Sequence, residues 1–309
     1  MDHDQGPGHA ESPARLEAVL EVLKSREFSD YPCLEAPAAT RQEIARVHTA
    51  AHIDEILAAR GTKERIVLDS DTSMSAGSTQ AALFAAGAGI AAVDAVLSGQ
   101  ARRAFCALRP PGHHAEPHRA MGFCLFNNIA IAAAHALTRG VKRVAIVDFD
   151  VHHGNGTQVW AETEPRALFI SSHQMPLYPG TGAADERGPL DNILNIPFAA
   201  GTAGAEFRAA YEWQVFPRLK AFAPDFIFIS AGFDAHRDDP LGGMKLVEED
   251  FAWVTRELAA LAEELCDGRI VSCLEGGYNI PALAASVAAH MRALDDTAES
   301  AHNSSAVSA

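Results

Sequence analysis

Two periods of apolar residues alternate along this chain. Short runs rich in Val, Ile, Phe and Leu predict buried strands over residues 104–108, 143–148, 167–171, 193–196, 225–230 and 269–274. Between them, stretches with apolar residues at three- and four-residue spacing, or rich in Ala, predict helices over 13–27, 75–97, 127–138, 157–162, 205–221, 247–266 and 281–294. Regular alternation of strand and helix is the mark of βα units wound into a largely parallel sheet, so the expected fold class is α/β. No Gly-, Ser- or Pro-rich linker divides the sequence and no internal repeat appears. The expectation is one domain over residues 1–296 and a disordered tail over 297–309.

Composition narrows the partners. The 309 residues carry 25 Lys and Arg against 40 Asp and Glu, a net charge of −15, which disfavours binding to nucleic acid or to an anionic membrane and suits a cationic ligand. The five cysteines, Cys33, Cys106, Cys124, Cys266 and Cys273, are odd in number and include no C-x-x-C pair, so reduced, mostly buried thiols are expected. Residues 1–8 offer neither a basic nor an apolar segment for a secretory signal. Apolar runs such as 226–229 are far shorter than the roughly 20 residues of a membrane span. A soluble, cytoplasmic protein is the expectation.

In open α/β sheets ligands bind beyond the carboxyl ends of the strands, and here four such ends are unusually polar. The first is Asp148-x-Asp150-x-His152, in which residues two apart point to one side of an extended backbone. That is a ready metal chelate, or else a hydrogen-bonded acidic cluster capped by histidine. Asp234, after the run 225–230, supplies a further carboxylate and would make a three-ligand set with an open position, as catalysis by a metal requires. His113 and His114 follow Pro110-Pro111-Gly112, a stiff turn that fixes two imidazoles together, although an adjacent pair can equally lie idle at a surface. Imidazoles there can move protons near neutral pH, and Asp148 and Asn155 are available to orient them.

Tyr278, behind Gly276-Gly277, offers a phenol that can hydrogen-bond to a developing oxyanion, or it simply packs in a glycine-rich turn. Gly122-Phe123 and Tyr178 can wall a narrow channel for an aliphatic stem, or pack in the core. Gly87-Ala88-Gly89 lies within a helical pattern rather than after a strand, against dinucleotide binding. His48, His52, His135 and His290 read as surface or satisfied core residues, and Ser171-Ser172-His173 lacks the flanking glycines of a nucleophile elbow.

Taken together, RPPGHHA, GFCLFNN, VDFDVHHGNGTQ, SSHQMPLYPGTG, SAGFDAHRDDPLGGM and LEGGYN resemble the zinc-dependent histone deacetylase superfamily, which also holds acetylpolyamine amidohydrolases and acetoin-utilisation proteins. HHGNG and LEGGYN resemble its class II branch more than class I. The resemblance runs from Gly6 to about Leu294 and implies an arginase-like three-layer α/β/α sandwich around a mostly parallel eight-stranded sheet. Position by position it implies Asp150, His152 and Asp234 as ligands of one zinc ion per chain. His113 and His114 become the tandem histidines, backed by Asp148 and Asn155, with His114 the proton shuttle. Tyr278 becomes the tyrosine that polarises the acyl carbonyl. A structural potassium ion is implied at Asp148, Asp150, His152, Ser171 and Ser172. The implied activity is hydrolysis of the acyl group from the ε-amine of lysine in proteins, with an acetylated polyamine or another small N-acyl amide as the alternative substrate.

Three departures from the family pattern matter. Members carry a strand ahead of the D-x-x-x-G-P-G-H-x-E-x-P-x-R-L stretch, whereas here that stretch begins at Asp2, so a first strand is missing or one sheet edge is unfilled. Leu241 stands where class II polyamine deacetylases place a gatekeeping glutamate, which shifts the expectation toward acyl-lysine. Residues 116–119, Glu-Pro-His-Arg, form an insert expected at the rim.

Overall fold

All six apolar runs form strands, and the amphipathic stretches between them form helices that cover the sheet on both sides. The computed structural model describes residues 3–62 and 64–295; the tail expected over 297–309 lies outside them. In chain order the elements begin with α1 (Pro13–Leu23), α2 (Arg41–Ile44), α3 (Ala50–Ala58), β1 (Ile66–Val67), β2 (Ser73–Met74), α4 (Ser78–Leu97), β3 (Arg103–Cys106) and α5 (Asn128–Thr138). They continue with β4 (Val144–Asp148), α6 (Asn155–Ala161), β5 (Ala167–Gln174), β6 (Ile193–Phe198) and α7 (Gly204–Ala210). After a π-helical turn at Tyr211–Val215 come α8 (Phe216–Phe222), β7 (Phe226–Ala231), α9 (Glu248–Cys266), β8 (Ile270–Leu274) and α10 (Ile280–Asp295).

The central sheet is parallel throughout, in the order β3-β8-β7-β4-β5-β6. Successive side chains of one strand point to opposite faces and feed two separate cores. Val144, Ile146, Phe226, Phe228, Val271 and Cys273 pack toward α4 and α5, while Ala145, Val147, Ile227, Ile229, Ile270 and Leu274 pack toward α1, α9 and α10. That division is the three-layer sandwich expected from the sequence. It also explains why the strands are apolar runs rather than alternating patterns: both faces are buried.

Several expectations need correction. Among the described residues the sheet has six strands, not eight; β1 and β2 pair only with each other, antiparallel. In place of a strand, residues 3–12 are anchored by side chains. The His3 Nδ1 atom lies 2.6 Å from the Ser78 hydroxyl, Gln5 Oε1 accepts from the Ser73 amide at 3.0 Å, and the fully buried Glu11 is clasped by Arg109 and Arg15. Burial alone would raise the Glu11 carboxyl, but His3, Arg109 and Arg15 overcome it and hold it well below the usual range.

The stretch 205–221 is two helices joined by the π turn, which brings the Tyr211 hydroxyl 2.9 Å from Ser172 Oγ. β5 runs on to Gln174, past the expected end at Ser171, so Ser172 and His173 also lie within the strand. The helix expected over 75–97 forms as α4. α4, at 20 residues with mean hydropathy 1.7, is long and apolar enough to cross a membrane, yet it packs on α5 and β3. Gly89 allows the close approach to α5, since a Cβ there would sit 2.9 Å from that of Ala132.

Candidate active site

Strand order decides where the polar strand ends meet. From β4 the chain proceeds outward through β5 and β6, then returns on the other side of β4 with β7 and β8. The loops beyond β4, β7 and β8 are therefore neighbours at the point where the winding reverses, the location expected for a ligand crevice. Each delivers a piece of the site: Asp150 and His152 after β4, Asp234 after β7, and Tyr278 after β8. The loop after β3, at the edge, brings in His113 and His114.

Asp150, His152 and Asp234 are all buried, with their potential ligand atoms within 4.8 Å of one another. His152 Nδ1 lies 3.1 Å from both Asp150 Oδ1 and Asp234 Oδ2. Burial and the Asp150 carboxylate push the Asp234 carboxyl up to about 7, which marks surplus negative charge where a cation would be stabilised. Two glycines keep this cradle open: a Cβ at Gly232 would fall 2.1 Å from Asp150 Oδ2, and one at Gly276 2.0 Å from Asp234 Oδ2. One nitrogen and two carboxylates in a buried, converging set fit a divalent cation such as zinc with one position left open. The carboxylates are aimed by backbone amides, Gly276 N–H donating to Asp150 Oδ2 at 2.8 Å and Val151 N–H to Asp234 Oδ1 at 2.9 Å.

The tandem histidines stand beside this set with ring centroids 4.0 Å apart. His113 Nδ1 donates to Asp148 Oδ2 at 2.9 Å, and His114 Nδ1 donates to Asn155 Oδ1 at 2.8 Å. Their environments differ. Burial would lower the His113 imidazolium, but Asp150 and Asp148 outweigh it and raise it to about 10. His114 is pushed well below its ordinary value by burial and by the neighbouring charge of His113 and His152. Gly122 is required here on two grounds: its φ is +56°, and a Cβ would lie 2.4 Å from the His114 ring.

Phe123 and Tyr178 form ring walls. The Phe123 ring meets Tyr278 edge to face at 5.8 Å, and Tyr178 meets His114 at 5.1 Å and His152 at 6.4 Å. Tyr178 is 36% exposed, as a residue at a mouth would be. Burial holds the Tyr278 phenol well above its ordinary value, so it stays protonated and able to donate. Ser171 pairs with Asp148 across β5 and β4, and Ser172 Oγ donates to the Asp148 carbonyl at 3.4 Å.

Three residues of the site escaped the sequence reading. Asp239 Oδ2 accepts from the backbone N–H of Tyr278 at 2.7 Å and of Asn279 at 3.2 Å, while Oδ1 accepts from Leu241 N–H at 2.9 Å. Leu241 thus joins the site through its backbone, sharing one carboxylate with Tyr278. Glu275, fully buried, accepts from Gly112 N–H at 2.7 Å and His113 N–H at 3.1 Å, and burial pushes it up to about 7. Arg15 donates to the carbonyls of Gly277 and Glu275 and lies 4.8 Å from the centre of the Tyr278 ring. Each lies within a motif quoted above or its P-x-R-L stretch, but charge alone does not say which backbone amide it will meet.

The model of the histone deacetylase domain matches residues 9–294. The chain belongs to the histone deacetylase family. A probable deacetylase of Archaeoglobus fulgidus is 39% identical to this histone deacetylase homologue, over 91% of this chain and 79% of its own. The histone deacetylase-like amidohydrolase of Pseudomonas aeruginosa is 40% identical over 88% of this chain and 73% of its own. In structure the chain is similar to the crystallised HDA15 HD domain, with TM-score 0.90 and 38% identity over 94% of this chain and 85% of that one. This member of the histone deacetylase family is accordingly a hydrolase acting on amide bonds, in a metal-dependent family.

Proposed function

We propose that the chain is a zinc-dependent lysine deacylase that removes acetyl or related acyl groups from the ε-amine of lysine in proteins, in the cytoplasm and without direct nucleic-acid contact. What supports the reading is the meeting of Asp150, His152 and Asp234 with His113, His114 and Tyr278 around one crevice walled by Phe123 and Tyr178. A divalent cation held by Asp150, His152 and Asp234 would polarise the acyl carbonyl and acidify a water. His114, held with its Nδ1 proton on Asn155, presents Nε2 as the acceptor for the water's proton. The Tyr278 hydroxyl donates to the oxygen that becomes negative. A histidine then returns a proton to the nitrogen as the amine leaves, and acetate remains.

The aromatic pair suits the aliphatic stem of lysine, and the net charge of −15 suits a product that leaves as a cation. A potassium ion at Asp148, Asp150, His152, Ser171 and Ser172 would brace the ends of β4 and β5. Leucine at 241 gives a polyamine ammonium no ionic partner there, which favours acyl-lysine over acetylpolyamine. The test is acetate release by metal-replete protein from an acetyl-lysine peptide and from N-acetylputrescine in parallel. Faster turnover of the peptide is expected; release from N-acetylputrescine alone would transfer the reading to the small-molecule class.

A further inference from the structure

The insert at 116–119 is not idle rim. Glu116 Oε1 accepts from Asn155 Nδ2 at 2.8 Å, on the far side of the amide whose Oδ1 faces His114. Arg119 grips the same carboxylate with two bonds, Nε to Oε2 at 2.9 Å and a terminal nitrogen to Oε1 at 3.0 Å. The loop is pinned from below by His48. Its Nε2 accepts from Asn127 N–H at 2.8 Å, so its proton is on Nδ1, which donates to the Glu116 carbonyl at 3.1 Å.

An asparagine amide can face either way round, and with the other orientation its NH2 group would meet His114 Nδ1. A carboxylate cannot donate. Glu116 therefore requires Asn155 to turn Nδ2 outward and Oδ1 inward, and that oxygen in turn requires His114 to carry its neutral-state proton on Nδ1. Only this tautomer leaves Nε2 free to accept a proton.

We propose that Glu116 is a positioning residue that fixes the tautomer of His114 through the Asn155 amide, with Arg119 holding the carboxylate in place. The inference rests on the deacylase reading only in giving His114 the role of proton acceptor; the tautomer itself does not depend on turnover.

Two readouts test it. Glu116→Ala is expected to lower kcat on an acetyl-lysine peptide at least tenfold with KM within twofold. In the His114→Ala background, where no imidazole tautomer is left to fix, the same replacement should change the residual kcat less than twofold. Unchanged kcat in the first case, or equal losses in both backgrounds, would overturn the proposal. Glu116→Gln keeps the side-chain volume should the alanine variant fail to fold, and is expected to lower kcat at least threefold; unchanged kcat would likewise overturn it. Nitrogen-15 shifts of labelled histidine, assigned by difference with His114→Ala, should show Nδ1 protonated in the parent and a mixture of tautomers in Glu116→Gln. The same pure tautomer in both would overturn the inference. A parent that releases no acetate would refute the deacylase reading, and the shifts would still decide the role of Glu116.

Discussion

Two adjacent imidazoles of one sequence motif occupy different electrostatic settings. His113 Nδ1 faces the Asp148 carboxylate, which favours its cation, whereas His114 has only a neutral amide at Nδ1 and burial favours its neutral form. A base must begin neutral, so the geometry favours His114 for proton abstraction. His114→Ala is expected to lower kcat by about 10²–10⁴, the usual range for a positioned acid or base. Tyr278→Phe removes one oxyanion donor and should cost about 10²–10³ in kcat. Steady-state kinetics on an acetyl-lysine peptide, with metal content measured in each variant, checks both; kcat within threefold of the parent would remove the residue from the mechanism.

Side chains reach those positions because loops are tied across strand ends. Asp239, on the loop after β7, collects the amides of Tyr278, Asn279 and Leu241, so it locks the loop after β8 to its neighbour. Asp239→Ala leaves those amides without that acceptor and loosens Tyr278, and is expected to cost roughly 1–3 kcal/mol of stability together with a lower kcat at unchanged metal content. Urea unfolding and kinetics on one preparation measure both, and a variant as stable and active as the parent would refute the tie. Such ties mark the limit of what the sequence showed. The buried strands β4, β7 and β8 were legible because both their faces are apolar, and Asp150, His152, Asp234, His113, His114 and Tyr278 because each directly follows or closely trails an apolar strand. The four-residue helix α2 and the two-residue strands β1 and β2 were missed, being too short to show a period, and the nine-residue α3 was missed although Ile53, Ile56 and Leu57 have helical spacing. Asp239, Glu275 and Arg15 were missed because each acts on a backbone group of a loop distant in sequence, a contact that no spacing encodes.

Acid stability follows from the number of histidines buried across the molecule. Burial holds His48, His153 and His290 down to about 3 and His173 to about 4, against about 6.5 in an unfolded chain. Their folded values are depressed, so the unfolded chain binds more protons below about pH 6.5, and the stability they give is full above that pH and falls toward pH 4. Glu275 and Asp234, each raised to about 7, bind protons in the folded state over the same window and offset part of the effect. The depressed histidines outnumber these two carboxyls, so near pH 5 the net effect is a loss of stability as the pH falls. Denaturant unfolding at pH 6, 5.5 and 5, below the range in which the raised His113 and His152 act in the opposite sense, should show that decline, and equal stability at pH 6 and 5 would contradict it. The claim on which everything else depends is that Asp150, His152 and Asp234 hold the one cation that drives amide hydrolysis. Acetate release from an acetyl-lysine peptide, followed before chelation, after removal of the metal and after return of one equivalent of zinc, tests it most directly. The account predicts turnover, its loss, and its recovery at one zinc per chain; turnover that survives removal of the metal would contradict it.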